Sequence, residues 1–265
     1  MGSVRDEVPQ SARIWNYWMG GEDNLPVDRV AGDAWAAIQP EIVAIAQQSR
    51  RFLVEAVRYL AGDAGVRQFL DVGAGLPFKP GQNTHEVAQA AAPDARIVYV
   101  DNDPEVLAKG REKLVTTPEG VTCYLDANYH DPAGIVSDAR NVLNFTQPIA
   151  VMFMGVLGHV ADYNEARAIV SRVMAATPAG SYLVLWENTD TTVTARNAAA
   201  EYVRSGAVPY RLCTPAQVGG FFEGLELVEP GLVALNQWHP NRRDTDRAGS
   251  VAEAVDASAA VGRKP

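Results

Sequence analysis

Two cysteines, Cys123 and Cys213, are all the thiol chemistry in this chain of 265 residues. They are far apart, with no CxxC pair and no Cys/His cluster, so neither a disulfide framework nor a zinc site is expected, and no metal is predicted. No run of 18 apolar residues occurs, and the start, MGSVRDEVPQ, has no basic stretch leading into an apolar one. Asp6 stands where a myristoylation signal carries Ser or Thr. These absences predict no membrane association and a cytoplasmic, reducing location. Positive charge is also scarce: 23 Lys and Arg against 32 Asp and Glu leave a formal net charge of −9, which argues against a nucleic-acid partner.

The rest of the composition, 47% hydrophobic and 21% charged, is that of an ordinary globular protein, so function must be read from local pattern. SARIWNYWMGGEDNLPVDRV predicts a short aromatic helix, a tight turn at Gly20-Gly21 and a second helix. QPEIVAIAQQSRRFLVEAVRYL has apolar residues at helical spacing and predicts one long helix or two abutting ones. Residues 1–62 therefore read as a helical cap belonging to the same domain as the remainder, 63–265. From residue 68 short apolar runs alternate with amphipathic ones: QFLDVGAG, RIVYVDND, GVTCYLDAN, PIAVMFMGV and GSYLVLWENT as strands, with helical stretches between them. That alternation is the mark of an α/β fold with a parallel sheet covered on both faces. Near the end LELVEPGLVALNQW, two apolar runs around Pro230-Gly231, predicts a terminal β-hairpin, and the polar residues 241–258 predict a loop of low order.

Three strand ends carry a possible ligand site. DVGAG ends a strand in a Gly73-x-Gly75 turn, which brings backbone N–H groups close to a ligand. A dinucleotide fingerprint would continue with Gly or Ala at position 78, but Phe78 stands there, followed by Lys79-Pro80, which argues against a pyrophosphate ligand. Asp101 ends the next strand and can accept from both hydroxyls of a ribose. Asp126 ends the one after and can accept from an adenine amino group, with the Ala127 N–H donating to a ring nitrogen. Asp103 before Pro104 is expected to cap a helix, and Asp71 to organise the glycine turn.

With these residues in place the chain resembles the class I S-adenosylmethionine-dependent methyltransferases: LDVGAG, VYVDND and YLDAN match their first three motifs and PIAVMFMGVLGHV the motif of the fourth strand. ARIWNYWMGGEDNLPVDR, GLPFKPGQNTHEVAQ and GLELVEPGLVALNQW are similar to an actinobacterial family of such enzymes that is largely uncharacterised. The resemblance implies a Rossmann-like fold with a seven-stranded sheet and a terminal antiparallel hairpin, and S-adenosylmethionine as cofactor. It further implies that Gly73 and Gly75 approach the amino-acid moiety, that Asp101 holds the ribose, and that Asn102, Asp126 and Ala127 meet the adenine. Met154 and Gly155 would line the pocket near the sulfur. In the cap, Arg13, Tyr17, Gly21 and Asp23 are candidates for a lid over the methionine end.

His159, just beyond the fourth strand, is the expected general base, and Glu187 with Asn188 at the end of the fifth would orient a substrate. Asn83 and His85 are candidate substrate contacts, His130 a support for the adenine loop and His239 a structural residue. The fourth strand lacks the Asn/Asp-Pro-Pro-aromatic motif of nucleic-acid amino methyltransferases, so a small-molecule substrate is expected. No pattern specifies an oligomeric state. Two other readings are weighed: a catalytically silent S-adenosylmethionine-binding regulatory or interaction protein, which would yield no methylated product, and a nicotinamide-dependent oxidoreductase, disfavoured by Phe78 and by the missing Tyr-x-x-x-Lys pair.

Overall fold

The computed structural model describes residues 8–239 and 253–265. Three helices come first: α1 (Ser11–Trp18), α2 (Pro26–Ile38) and the long α3 (Glu41–Gly62). Five strands then alternate with helices: β1 (Gln68–Val72), α4 (Thr84–Ala91), β2 (Arg96–Asp101), α5 (Pro104–Glu112), β3 (Val121–Asp126), α6 (Pro132–Ala139), β4 (Ala150–Met154), α7 (Tyr163–Ala176) and β5 (Tyr182–Asn188). Helices α8 (Val193–Arg204) and α9 (Pro215–Gly220) lead to short strands β6 (Glu226–Leu227) and β7 (Val233–Ala234) and to β8 (Ala257–Arg263).

The sheet order is β3-β2-β1-β4-β5-β8-β6, with β7 also on β8. Strands β1 to β5 are parallel, and β8 enters antiparallel between β5 and the last position. The order reverses between β1 and β4, and such a switch point opens a crevice at the carboxyl ends of the strands. The helix starts follow from the sequence: Asp103 caps α5 by accepting from the Glu105 N–H at 2.8 Å, ahead of Pro104. Asn83 and Glu86 form a capping box on α4.

The two runs around Pro230-Gly231 do not fold back on one another. Glu226 pairs with Arg263 and Val233 with Ala259, so β6 and β7 lie in line along β8 as two halves of one interrupted edge strand. Proline has no N–H to give a ladder and is tolerated at an edge, which accounts for the break. Counted by position the sheet has seven places. The strand between β5 and this edge is ASAAVGR, whose small residues give little apolar signal. Of the stretch 241–258 expected to be a loop, residues 241–252 lie outside the described residues, and the end does not fit the expectation: Asp256 and Ala257 are buried, and Asp256 accepts from the Gln39 side chain at 3.0 Å.

Side chains alternate across the strands. Phe69, Ile97, Met152, Val184 and Trp186 join the core under α1–α3, whereas Leu70, Val98, Phe153 and Leu185 join the core on the opposite face. The cap helices therefore share one core with the sheet: Ile14, Trp18, Trp35, Ile42 and Phe52 pack in the same cluster as the strands. No described helix is long and apolar enough to cross a membrane.

Candidate functional site

Beyond the carboxyl ends of β1, β2, β4 and β5, under α1 and α3, lies a cavity of about 380 Å³. Its floor is the glycine turn. Gly73 and Gly75 both adopt positive φ (74° and 65°), a region that glycine enters without the steric cost of a Cβ. A Cβ on Gly73 would meet the Val156 side chain at 2.5 Å, so the turn and the loop after β4 are in close contact. The Gly75 N–H donates to Asp101 Oδ2 at 3.0 Å and the Asp103 N–H to Oδ1 at 3.0 Å. Asp101 is thereby fixed against the turn, and burial pushes its carboxyl above the usual range.

Gly73, Gly75, Asp101, Asn102, Ala127, Met154, Gly155, His159 and Asn188 all line the cavity. Gly155 has φ 75°, and a Cβ there would meet the Trp186 ring at 2.3 Å, so the indole packs closely against this backbone. His159 sits in the 3-10 turn Leu157–His159. Its Nδ1 faces the Pro209 carbonyl at 3.0 Å and so carries the hydrogen, leaving Nε2 as an acceptor, and burial lowers its pKa.

Other expected site residues lie elsewhere. Arg13 is buried away from the cavity: Nε donates to Asp28 at 2.6 Å and a terminal nitrogen to Glu105 at 3.0 Å, which ties α1 to α2 and α5. The Tyr17 hydroxyl donates to Asp33 at 2.8 Å. Gly21 packs on the Asn16 side chain, and Asp23 pairs with Lys109 and Lys113. Asp126, on the edge strand β3, is exposed and does not line the cavity. The Ala127 N–H is already given to the Asp101 carbonyl at 3.2 Å, so it is not available to an adenine. Asn83 is consumed by the α4 cap and by Phe78, and His85 is buried against the Tyr99 hydroxyl. His130 faces Glu165 and His239 faces Glu55.

Glu187 is corrected by strand parity. It is fully buried on the face opposite Trp186 and Asn188, where it accepts from the Leu157 and Gly158 N–H groups at 2.8 and 3.1 Å and from the Tyr210 hydroxyl. It holds the loop that carries His159, while burial pushes its carboxyl up to about 7.

The cavity also gathers residues that local pattern did not assign to the site. Arg50, on α3, reaches its wall with a 3.4 Å contact to the Gln82 carbonyl and its guanidinium 5.4 Å from the Phe78 ring. Among the described residues it makes no ion pair within hydrogen-bond reach, and desolvation lowers its pKa against the attraction of nearby Asp71. Asp71 accepts from the Thr84 hydroxyl at 2.7 Å, and burial raises its carboxyl to about 6. The interrupted turn is thus put to use: Phe78 backs Arg50, and Asn83 and Thr84 close the loop. Trp15, Trp18, Trp35, Trp186 and Tyr202 form an aromatic end of the same cavity. Four of these five come from the cap or from α8, and only the tertiary fold brings them over β5.

Comparison with known proteins accords with this architecture. Residues 2–265 match the model of a family described as S-adenosyl methyltransferase. A DUF574 family protein from Streptomyces avermitilis is 40% identical with a TM-score of 0.90, the match covering 99% of this chain and 100% of that one. A protein from Thermobifida fusca, provisionally described as a methyltransferase, is 36% identical with a TM-score of 0.85, covering 97% and 96%. At 12% identity and a TM-score of 0.52, magnesium protoporphyrin IX methyltransferase from Synechocystis, covering 95% and 90%, shares the fold. No curated protein matches the chain. The chain belongs to the S-adenosyl methyltransferase family, whose cofactor is S-adenosylmethionine.

Proposed function

We propose that this protein transfers the methyl group of S-adenosylmethionine to a small molecule held in the cavity between the sheet and the helical cap. The observation that carries this reading is a pair of opposite charges, the half-buried Arg50 and the buried Asp71, on the cavity wall beside the Gly73-Gly75 turn. A desolvated guanidinium without a hydrogen-bonded carboxylate is costly unless something pairs with it. An α-amino acid zwitterion supplies what both lack: a carboxylate for Arg50 and an ammonium for Asp71. Asp101, already oriented by two backbone N–H groups, keeps lone pairs for the ribose hydroxyls, with Asn102 and Tyr129 beside it. These residues fit the cofactor.

When bound, the cofactor supplies an electrophilic methyl on a sulfonium, and displacement leaves the bonding pair on sulfur. The chain's own part is alignment and exclusion of water. Trp15 and the cap roof the cavity, and Gly155, which has no side chain, lets the Trp186 ring lie close. His159, neutral because burial lowers its pKa and oriented through Pro209, takes the proton from a nucleophilic hydroxyl at Nε2.

The test is calorimetric titration of ligand-free protein with S-adenosylmethionine, S-adenosylhomocysteine and NAD, repeated on Asp101→Ala. Micromolar binding of the two adenosyl ligands, lost in the variant, supports the reading. Binding of NAD alone, or of none, overturns it.

A further inference from the structure

At the amino ends of β1 and β2, on the side of the sheet away from the glycine turn, lies a second groove of about 650 Å³. Its charged lining is three arginines, Arg67, Arg96 and Arg140, against one carboxylate, Asp94. The chain as a whole carries a net charge of −9, so this local excess of positive charge runs against its average field. No lysine lines the groove, and only the guanidinium offers a planar fork of donors that fits a phosphate two bonds at a time.

Specific contacts build the groove. Arg67 precedes β1 and Arg96 opens β2, and the Arg96 N–H donates to the Arg67 carbonyl at 2.8 Å. The Gln68 side chain, 3% exposed, is bound twice to Asn144: its Nε2 donates to the Asn144 carbonyl at 2.9 Å and its Oε1 accepts from the Asn144 N–H at 2.6 Å. The connection from α6 to β4 is thereby fixed as the far wall. Arg96 Nη1 donates to the Val142 carbonyl of that connection at 3.1 Å. Arg140 stands at the end of α6 with its guanidinium 4.6 Å from the ring of the buried Phe145.

These contacts leave donors over. Arg67 gives Nη1 to the Ala61 and Val66 carbonyls at 2.8 and 3.1 Å, and its Nε faces Asp94 at 3.4 Å. Among the described residues Arg96 and Arg140 take part in no ion pair, and the Phe145 ring gives Arg140 no acceptor oxygen. All three arginines are exposed, and their mutual repulsion is offset within the groove only by Asp94. An anion bound between them offsets it further and meets the open forks.

We propose that this groove binds a small anion with two linked phosphate groups, at a site separate from the cofactor cavity. A diphosphate presents oxygens on two centres, which suits guanidiniums approaching from different elements, whereas one carboxylate such as Asp94 meets one fork. Because the arginines are exposed, the ion keeps part of its hydration and salt screens the attraction, so the affinity is modest.

The test is calorimetric titration of the full chain with sodium pyrophosphate, with orthophosphate and sulfate as controls at the same ionic strength. Pyrophosphate is expected to bind with a Kd at or below about 1 mM, about ten-fold more tightly than either control. Arg96→Gln and Arg140→Gln should each weaken it about ten-fold, and Arg140→Lys, which keeps the charge and loses the fork, should weaken it less. Asp94→Ala removes the competing carboxylate and should tighten binding by about three-fold, an effect that a purely structural role for these arginines would not produce. Arg50→Gln, in the other cavity, should leave pyrophosphate binding unchanged. ADP titrated into the unaltered protein and into Arg140→Gln distinguishes the sources: loss of affinity in the variant admits esterified diphosphates, and no loss leaves the free ion as the ligand. Absence of pyrophosphate binding, equal binding of pyrophosphate and sulfate, or weaker binding by Asp94→Ala overturns the proposal. So does pyrophosphate binding that is lost in Arg50→Gln and kept in Arg140→Gln.

Discussion

The hydroxyl of Tyr210 donates to the carboxylate of Glu187 at 2.5 Å, and the same carboxylate accepts from the Leu157 and Gly158 N–H groups, so one buried acid fastens both loops that flank His159. Its folded pKa is raised from 4.5 to about 7 by burial. The folded state then holds the proton more tightly than the unfolded chain. The stability that results is fully present below pH 4.5 and is lost as the pH rises through about 7. The loss amounts to roughly 3 kcal/mol. Urea denaturation at pH 5 and pH 8 should show it, and Glu187→Gln should flatten that part of the profile. An unchanged slope in the variant would refute the assignment.

Arg50→Gln is expected to weaken S-adenosylhomocysteine by about 10- to 100-fold, the scale of a lost charge-assisted hydrogen bond. Asp71, with a carboxyl raised to about 6, should favour an ammonium above that pH and lose it below, so affinity falls between pH 7.5 and pH 5. In Asp71→Asn the fall should be smaller. Calorimetry at the two pH values decides it.

His159 has its pKa lowered by burial, so it should remain neutral at pH values where an exposed histidine is already protonated. An NMR titration of the imidazole carbons should give a midpoint below 6.5. His159→Gln should retain S-adenosylhomocysteine binding while losing turnover of any hydroxyl acceptor. Loss of cofactor binding in this variant would give the residue a different role.

Asp28 is fully buried and accepts from Arg13 at 2.6 Å, from the Gln10 N–H at 2.8 Å and from the Leu25 N–H at 2.8 Å. Removing Asp28 takes from the buried Arg13 one of its two carboxylate partners among the described residues and leaves the Gln10 and Leu25 N–H groups without their acceptor. Asp28→Ala should therefore destabilise the fold by about 3–5 kcal/mol in urea denaturation. Asp94→Ala, which breaks the exposed contact with Arg67, should cost no more than about 1 kcal/mol.

The alternation of apolar runs and amphipathic stretches, the positive-φ glycines of DVGAG and the acids at the ends of β1 and β2 were legible in sequence because each is a local property of one strand and its turn. Strand β8 was not, since ASAAVGR carries almost no hydrophobic signature and becomes a strand by filling a place between β5 and the edge. Glu187 and Asn188 are adjacent in sequence, yet the pleat sends one to the loop of His159 and the other to the cavity. Arg50 reads locally as the polar face of a helix, and Trp15 as core. Their place on the cavity wall depends on how α1 and α3 cross the sheet. Local chemistry determined the strands, the turn and the residues that can serve a ligand. Tertiary structure alone decided which of them share a cavity, because burial and neighbouring charge are set by elements distant in the chain.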